Sequence, residues 1–276
     1  MYCDLHTHSV YSDGTETPEN IIRLAEKIGL YGVALCDHNT VDGLYEFNEK
    51  ASGSKVICVN GVEFSTDYFG EDLHILGLFV PKNKFEEVKN ITDDYFKRKV
   101  ESNKKLVYAL ACDGYLLDYD EIQSKTKKGN VNRAHIALEL VNKGYISTPK
   151  QGYENLLLPN GRYYIPPKKI SSEDAVKFIK KIGAVPVLAH PLVTMNPEKL
   201  KEFLEKGVKW GIAGMETDYS EYNENDTRVA KQLALQYGIA FSGGSDYHGN
   251  NKPGINLGTG RGTLKIPKEY LISLKP

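Results

Sequence analysis

The chain has 276 residues, 41% hydrophobic and 26% charged, a composition that excludes a disordered polypeptide and suits one large domain or two small ones. With 35 basic and 36 acidic residues its formal net charge is −1, which leaves no overall electrostatic footprint for duplex nucleic acid or a membrane surface, and no apolar run is long enough to span a bilayer. Cys3, Cys36, Cys58 and Cys112 show no C-x-x-C spacing, and Met1 leads straight into the first histidine motif, so the expectation is a cytoplasmic chain without a secretory leader.

In chain order, Tyr2–Leu5 is a short strand. Thr17-Pro18-Glu19 then supplies an N-cap, a proline at the first helical position and an early acid for a helix to about Ile28, which Gly29 stops. Tyr31–Cys36 is the next strand, Thr40 is placed to cap a helix from Val41 to about Ala51, and Val56–Phe64 and Leu73–Val80 follow as strands. This alternation predicts a parallel α/β sheet. After Pro81 the pattern turns helical: Phe85 to about Cys112, Tyr119–Ser124, Arg133–Asn142 and Pro149–Leu157, with Pro159–Lys169 as a return linker. Residues 81–164 thus read as a helical insertion within an α/β domain formed by 1–80 and 165–276. The α/β rhythm resumes with a helix capped by Ser171 or Ser172 and running to Ile182. Strand Val185–Ala189, helix Pro197–Glu205, strand Ile212–Glu216, helix Asn223–Tyr237 and strand Ile239–Ser242 follow, with a last short helix near Glu269.

Six of the seven histidines lie beside carboxylates, after or within apolar runs: DLHTHS from Asp4, CDHN from Cys36, GVEFS with Glu63, DLHILG with His74, LAHP with His190, and SDYHG with Asp246 and His248. Parallel strands whose carboxyl ends face one crevice would bring these side chains together. His6 and His8, two apart on an extended strand, project from one face and can grip one ion, and Asp246 and His248 share that spacing. Imidazole and carboxylate without thiolate favour zinc, manganese or iron in an open, catalytic site. Taken singly, each motif has a structural explanation: a polar pair at a strand mouth, an Asx turn at Asp37-His38, a satisfied core histidine at His74. Their joint placement at strand-like runs argues against all of these together.

The ordered set H-x-H, S-D-G, D-H-N-T, G-V-E-F-S, H-I-L-G, A-H-P and G-S-D-x-H-G resembles the PHP family, named for polymerase-associated and histidinol phosphatase domains, over residues 1–80 and about 165–250. The resemblance implies an α/β fold, a distorted (β/α)7 TIM-like barrel with a helical insertion, and two to three divalent metal ions, Mn2+, Fe2+ or Zn2+. It implies His6, His8, Glu63 and Asp246 around a first ion, Glu63 as a bridge with His74 and His190 around a second, and Asp13, His38 and His248 around a third. The aspartate at position 13, where some members have histidine, makes that third site richer in oxygen. Two ions about 4 Å apart lower the pKa of a bridging water and neutralise phosphoryl charge, while a third positions the phosphate. The implied reaction is phosphoester hydrolysis by the bridging hydroxide, with no covalent phosphoenzyme.

From spacing alone, Asn132-Arg133-Ala134-His135 is a helix start capped by Asn132, with Arg133 and His135 toward solvent. The segment also resembles the G-R-x-H or N-R-x-H insert of the PHP subgroup that includes nucleoside 3′,5′-bisphosphate phosphatases and 5′ to 3′ exoribonucleases. That resemblance implies residues 81–164 as a substrate lid over the PHP barrel domain, Arg133 and His135 as catalytic and phosphate-binding residues, Asp13, His38 and His248 as catalytic with them, and a small nucleotide or short RNA 5′ end as substrate. A histidinol-phosphate phosphatase and a non-catalytic PHP metal-binding module are the alternatives. Arg162, Lys168 and Lys169, and Tyr68, Tyr163, Tyr164 and Tyr222, offer further cations and rings that nothing in the sequence ranks. Gly243-Gly244 reads as backbone room beside a metal, and a Ser65-His74-Asp72 triad accounts for fewer residues than metal binding does.

Overall fold

A computed structural model describes residues 1–126 and 131–276 and divides the chain into two compact units, Met1–Lys89 with Ile170–Pro276, and Asn90–Lys169. In chain order the elements are β1 (Tyr2–Thr7), α1 (Pro18–Lys27), β2 (Gly32–Leu35), α2 (Gly43–Ala51), β3 (Ile57–Tyr68), β4 (Glu71–Leu78), α3 (Phe85–Cys112), α4 (Tyr119–Lys125), α5 (Arg133–Asn142), α6 (Pro149–Asn155), β5 (Ile170–Ser171), α7 (Ser172–Lys181), β6 (Val185–Leu188), α8 (Pro197–Trp210), β7 (Gly214–Tyr219), α9 (Glu224–Tyr237), β8 (Ala240–Gly244), β9 (Ile266–Pro267) and α10 (Lys268–Leu274).

Local chemistry explains most of the helix starts. The Thr17 hydroxyl accepts from the Asn20 N–H with Pro18 opening α1, and Ser171, Asn196 and Asn223 cap α7, α8 and α9 in the same way. Ile21, Ile22 and Ala25 form the buried stripe of α1. The expected Thr40 cap is not formed. Helix α2 begins two residues later than expected, after Asp42, and Thr40 Oγ1 accepts the Asp42 N–H at 3.1 Å in the turn that precedes it.

The strands follow the order β8-β7-β6-β4-β3-β2-β1-β9, with β5 paired to β3. Adjacent pairs are parallel except where β4 meets β3 and β6 and where β9 meets β1. The wholly parallel sheet is therefore corrected at β4. Only Phe69 and Gly70 separate β3 from β4, whereas a parallel crossover needs a dozen residues or more. The segment after β8 returns to β1: Asp246 N–H donates to His6 O and His8 N–H to Tyr247 O, both at 2.9 Å, which closes the sheet toward a barrel.

Cys3, Leu5, Ala34, Cys36, Val59, Leu76, Leu78 and Val187, from five strands, pack in one apolar cluster with Ile266, Leu271 and Leu274 of β9 and α10. The second unit has its own core, including Leu106, Leu110, Ile136, Ala137, Leu140 and Leu157. Among the described residues, no helix is long and apolar enough to cross a membrane.

Candidate metal centre

His6 lies in β1 and His8 just beyond it, His38 follows β2, Glu63 lies within β3, His190 follows β6, and Asp246 and His248 follow β8. His74 differs. It comes from the antiparallel β4, paired with Ser65, rather than from the carboxyl end of a parallel strand. Gly244 admits the close approach of β8 to β1, since a Cβ there would stand 2.3 Å from His6 Cβ. Asp4 and Asp37 organise the loops beneath. Asp4 accepts from the Ser245 N–H and hydroxyl and from the Gly258 N–H, while Asp37 accepts from the Ser9 N–H and the hydroxyls of Ser9 and Ser12.

These elements gather all nine metal-ligand candidates. Four overlapping groups, His8 with Asp13, His38 and His248; His6 with Glu63 and His190; His6 with His8 and Asp246; and His38 with Glu63 and His74, each place one donor atom per residue within 4.8 Å of the others. Glu63 is fully buried at their junction. Its Oε1 lies 2.8 Å from His74 Nδ1 and 3.2 Å from His190 Nε2; its Oε2 lies 3.3 Å from both His6 Nε2 and His8 Nε2 and 2.8 Å from His38 Nδ1. Asp246 Oδ1 stands 3.2 Å from His8 Nε2, and Asp13 Oδ1 3.1 Å from His248 Nε2. Ser65 Oγ instead accepts from Asn39 Nδ2, so the Ser65-His74-Asp72 triad is not assembled.

The polar atoms facing this crevice are short of partners. Buried side-chain atoms without a hydrogen bond include His6 Nε2, both ring nitrogens of His8, His38 Nδ1, Asp13 Oδ1 and Glu63 Oε2. Buried polar groups are ordinarily satisfied, and a cluster of imidazole and carboxylate donors left so is what divalent cations would satisfy. The donor set thus fits Zn2+, Mn2+ or Fe2+. Electrostatics agree. Burial disfavours ionised Glu63, Asp13 and Asp246, but surrounding imidazoles hold all three well below the usual carboxylate range. Burial also lowers His6, yet Glu216, Glu63 and Asp246 raise it well above the usual imidazole value; for His8, burial and the neighbouring His248 and His38 hold it well below. The field attracts positive charge while leaving His8 neutral with a lone pair to give.

One contributor escaped the motif reading. Glu216, fully buried on β7, accepts from His6 Nδ1–H at 3.0 Å and from the His190 N–H at 2.8 Å. It fixes the His6 tautomer so that Nε2 faces Glu63, and it supports His190, whose backbone is in the left-handed region at φ 28°. The signal was an acid ending an apolar run, as at Glu63, without a histidine beside it. Outer partners recur: Asp72 Oδ1 is 3.6 Å from His74 Nε2, His248 Nδ1–H donates to Asp246 O, and the Tyr219 hydroxyl and Lys252 ammonium donate to Asp246 Oδ2.

Arg133 and His135 belong to the second unit. Asn132 caps α5, and His135 Nδ1 accepts the Asn132 N–H in return. Arg133 donates to Leu157 O and places its guanidinium 5.1 Å from the Tyr164 ring centre and 5.7 Å from that of Tyr153. The expected capped helix start is formed, but both side chains are half-buried rather than turned fully to solvent.

Comparison with known proteins adds four findings. The chain is 29% identical over 252 residues to a 5′-3′ exoribonuclease of Haemophilus influenzae, covering 89% of each. It is 27% identical over 253 residues to a phosphoribosyl 1,2-cyclic phosphate 1,2-diphosphodiesterase of Eggerthella lenta, covering 90% of this chain and 95% of that protein. A crystal structure from Bifidobacterium adolescentis, described as a candidate metal-dependent phosphoesterase, superposes with a TM-score of 0.83 at 25% identity over 99% of this chain and 94% of that one. The model of the PHP domain matches residues 4–158, more than half of the sequence, and the chain belongs to the PHP family.

Proposed function

We propose that this phosphoesterase hydrolyses the phosphate monoester of a small nucleotide or the terminal phosphodiester of a short RNA 5′ end. His6, His8, Asp13, His38, Glu63, His74, His190, Asp246 and His248 would hold two to three divalent ions, and Arg133 and His135 would bind substrate phosphate. The single observation that carries this reading is the set of unpartnered donor atoms converging on Glu63.

Ions bound there supply Lewis acidity, a lowered pKa for water and neutralisation of phosphoryl charge. The chain's own residues do the rest. Glu216, Asp72 and the Asp246 carbonyl orient the rings of His6, His74 and His248, so less reorganisation remains when charge develops. Among the described residues, the serine hydroxyls near the cluster are held by the carboxylates that organise its loops: Ser9 and Ser12 donate to Asp37 and Ser245 donates to Asp4. The Cys36 thiol is held well above its ordinary pKa by burial and nearby carboxylates. Water is therefore the nucleophile this arrangement favours. In the second unit a guanidinium and an imidazole beside a helix N-terminus suit a phosphate.

The test is hydrolysis by purified protein supplied with Mn2+, Fe2+ or Zn2+. A nucleoside 3′,5′-bisphosphate and a 5′-phosphorylated oligoribonucleotide are expected to be cleaved with release of phosphate or mononucleotide. Turnover of histidinol phosphate alone would overturn the proposal.

A further inference from the structure

The turn between β3 and β4 combines two features that oppose each other. Phe69 and Gly70 have φ of 51° and 87°, and Tyr68 pairs with Glu71 across them. A two-residue turn with both φ positive favours Asn, Asp or Gly at its first position, because a bulky side chain is strained there. Phe69 is also 85% exposed, so packing offsets little of that strain. An aromatic ring is held out in solvent where fold stability alone would choose a small polar residue.

The ring nevertheless has a built setting. Tyr68 lies edge-on to it at 4.9 Å and is itself wedged against Phe203 and Trp210 of α8. Lys206, also on α8, places its ammonium 5.0 Å from the Phe69 ring centre and 5.6 Å from that of Tyr68. Of the hairpin's acids, Glu71 pairs with Lys199 and Asp72 faces His74. The turn stands six residues beyond Glu63 on the same strand, about 20 Å at the rise of an extended chain. It projects past the carboxyl-end side on which the metal-ligand candidates gather.

We propose that Phe69 stacks on a base of a single-stranded RNA whose 5′ end lies at the metal centre, with Lys206 attracting the adjoining phosphate. An exposed ring beside a cation is the pairing that single-strand binders use without sequence preference. Asp67, Glu71 with Lys199, and Lys206 set charge around the exposed ring, which suits a nucleic-acid strand better than the broad apolar face a protein partner would cover. The inference rests on the RNA reading of the site and deepens it. A mononucleotide is too short to reach the turn, so Phe69 would select for chain length.

Phe69→Asn tests this, because asparagine suits the turn and the variant should melt at or above the wild-type temperature. The expected result is roughly tenfold lower kcat/KM on a 5′-phosphorylated oligoribonucleotide, unchanged kcat/KM on a nucleoside 3′,5′-bisphosphate, and recovery in Phe69→Trp. Fluorescence anisotropy with a labelled oligoribonucleotide measures binding without turnover. Equal affinity of wild type and Phe69→Asn would overturn the proposal and leave the turn to a protein contact or to strain alone. If wild type cleaves the bisphosphate but does not bind RNA, this inference fails while the phosphoesterase reading stands. Phe69-dependent RNA binding without hydrolysis of either substrate would reverse that outcome.

Discussion

Glu216 shows how one buried carboxylate can govern a site without standing among the candidate ligands. It accepts from His6 Nδ1–H and from the His190 N–H, so Glu216→Gln exchanges an acceptor oxygen for a donor against groups that themselves donate. Metal affinity is expected to fall about 10- to 100-fold, measured by equilibrium dialysis with elemental analysis, while circular dichroism stays unchanged. Wild-type affinity in that variant would mean that His6 is oriented by other contacts. Thiol chemistry gives a second expectation. Burial pushes Cys58 up to about 11 and Cys3 up to about 12, against an ordinary 9.0, so at pH 8 each has little thiolate to react. Iodoacetamide should label the exposed Cys112 first, Cys58 more slowly, and Cys3 and Cys36 only on unfolding, which peptide mass spectrometry would read. Much of this scale was legible in advance: histidines are few here, and those at strand-like runs gather around Glu63. Glu216 was not, because GMETDYS lies outside the ordered motifs that carry the family resemblance, whereas GVEFS with Glu63 is one of them.

Among the elements, the helices announced themselves through caps. Thr17-Pro18 and Asn132 each place a side-chain acceptor where a first turn needs one. Asn132→Ala removes the side-chain acceptor for the His135 N–H, leaving the backbone N–H that donates to His135 Nδ1, and should destabilise the second unit by about 1 kcal/mol in urea melts. If His135 binds phosphate, the same change should raise KM more than it lowers kcat. The strands were harder to read. The alternation Phe64, Thr66 inward and Ser65, Asp67 outward continues β3 to Tyr68, but Phe-Gly lacks the Asn-Gly signal of a tight hairpin, so the reversal into β4 stayed hidden. At two residues each, β5 and β9 are too short to carry a period.

At the scale of the molecule, Asp13, Glu63, Asp246 and Glu216 concentrate negative charge where six imidazoles converge, an arrangement divalent cations should stabilise strongly. Adding Mn2+ at about 100 times its dissociation constant should contribute roughly 2.7 kcal/mol to folding stability, raising the melting temperature by several degrees, and a chelator should reverse the shift. A calorimetric trace indifferent to both would argue that the crevice holds no ion. Alternating strand and helix foretold an α/β sheet and the family resemblance its barrel form, while the closure itself depends on long-range pairing that no local pattern records.

That closure has a consequence for synthesis. His6 and His8 emerge first and meet Asp246 and His248 only through the bonds joining β1 to the segment after β8. A chain translated only as far as β8 therefore lacks two of the nine candidate ligands and the pairing that brings His6 and His8 to them, so hydrolysis is expected only once residue 248 has been added.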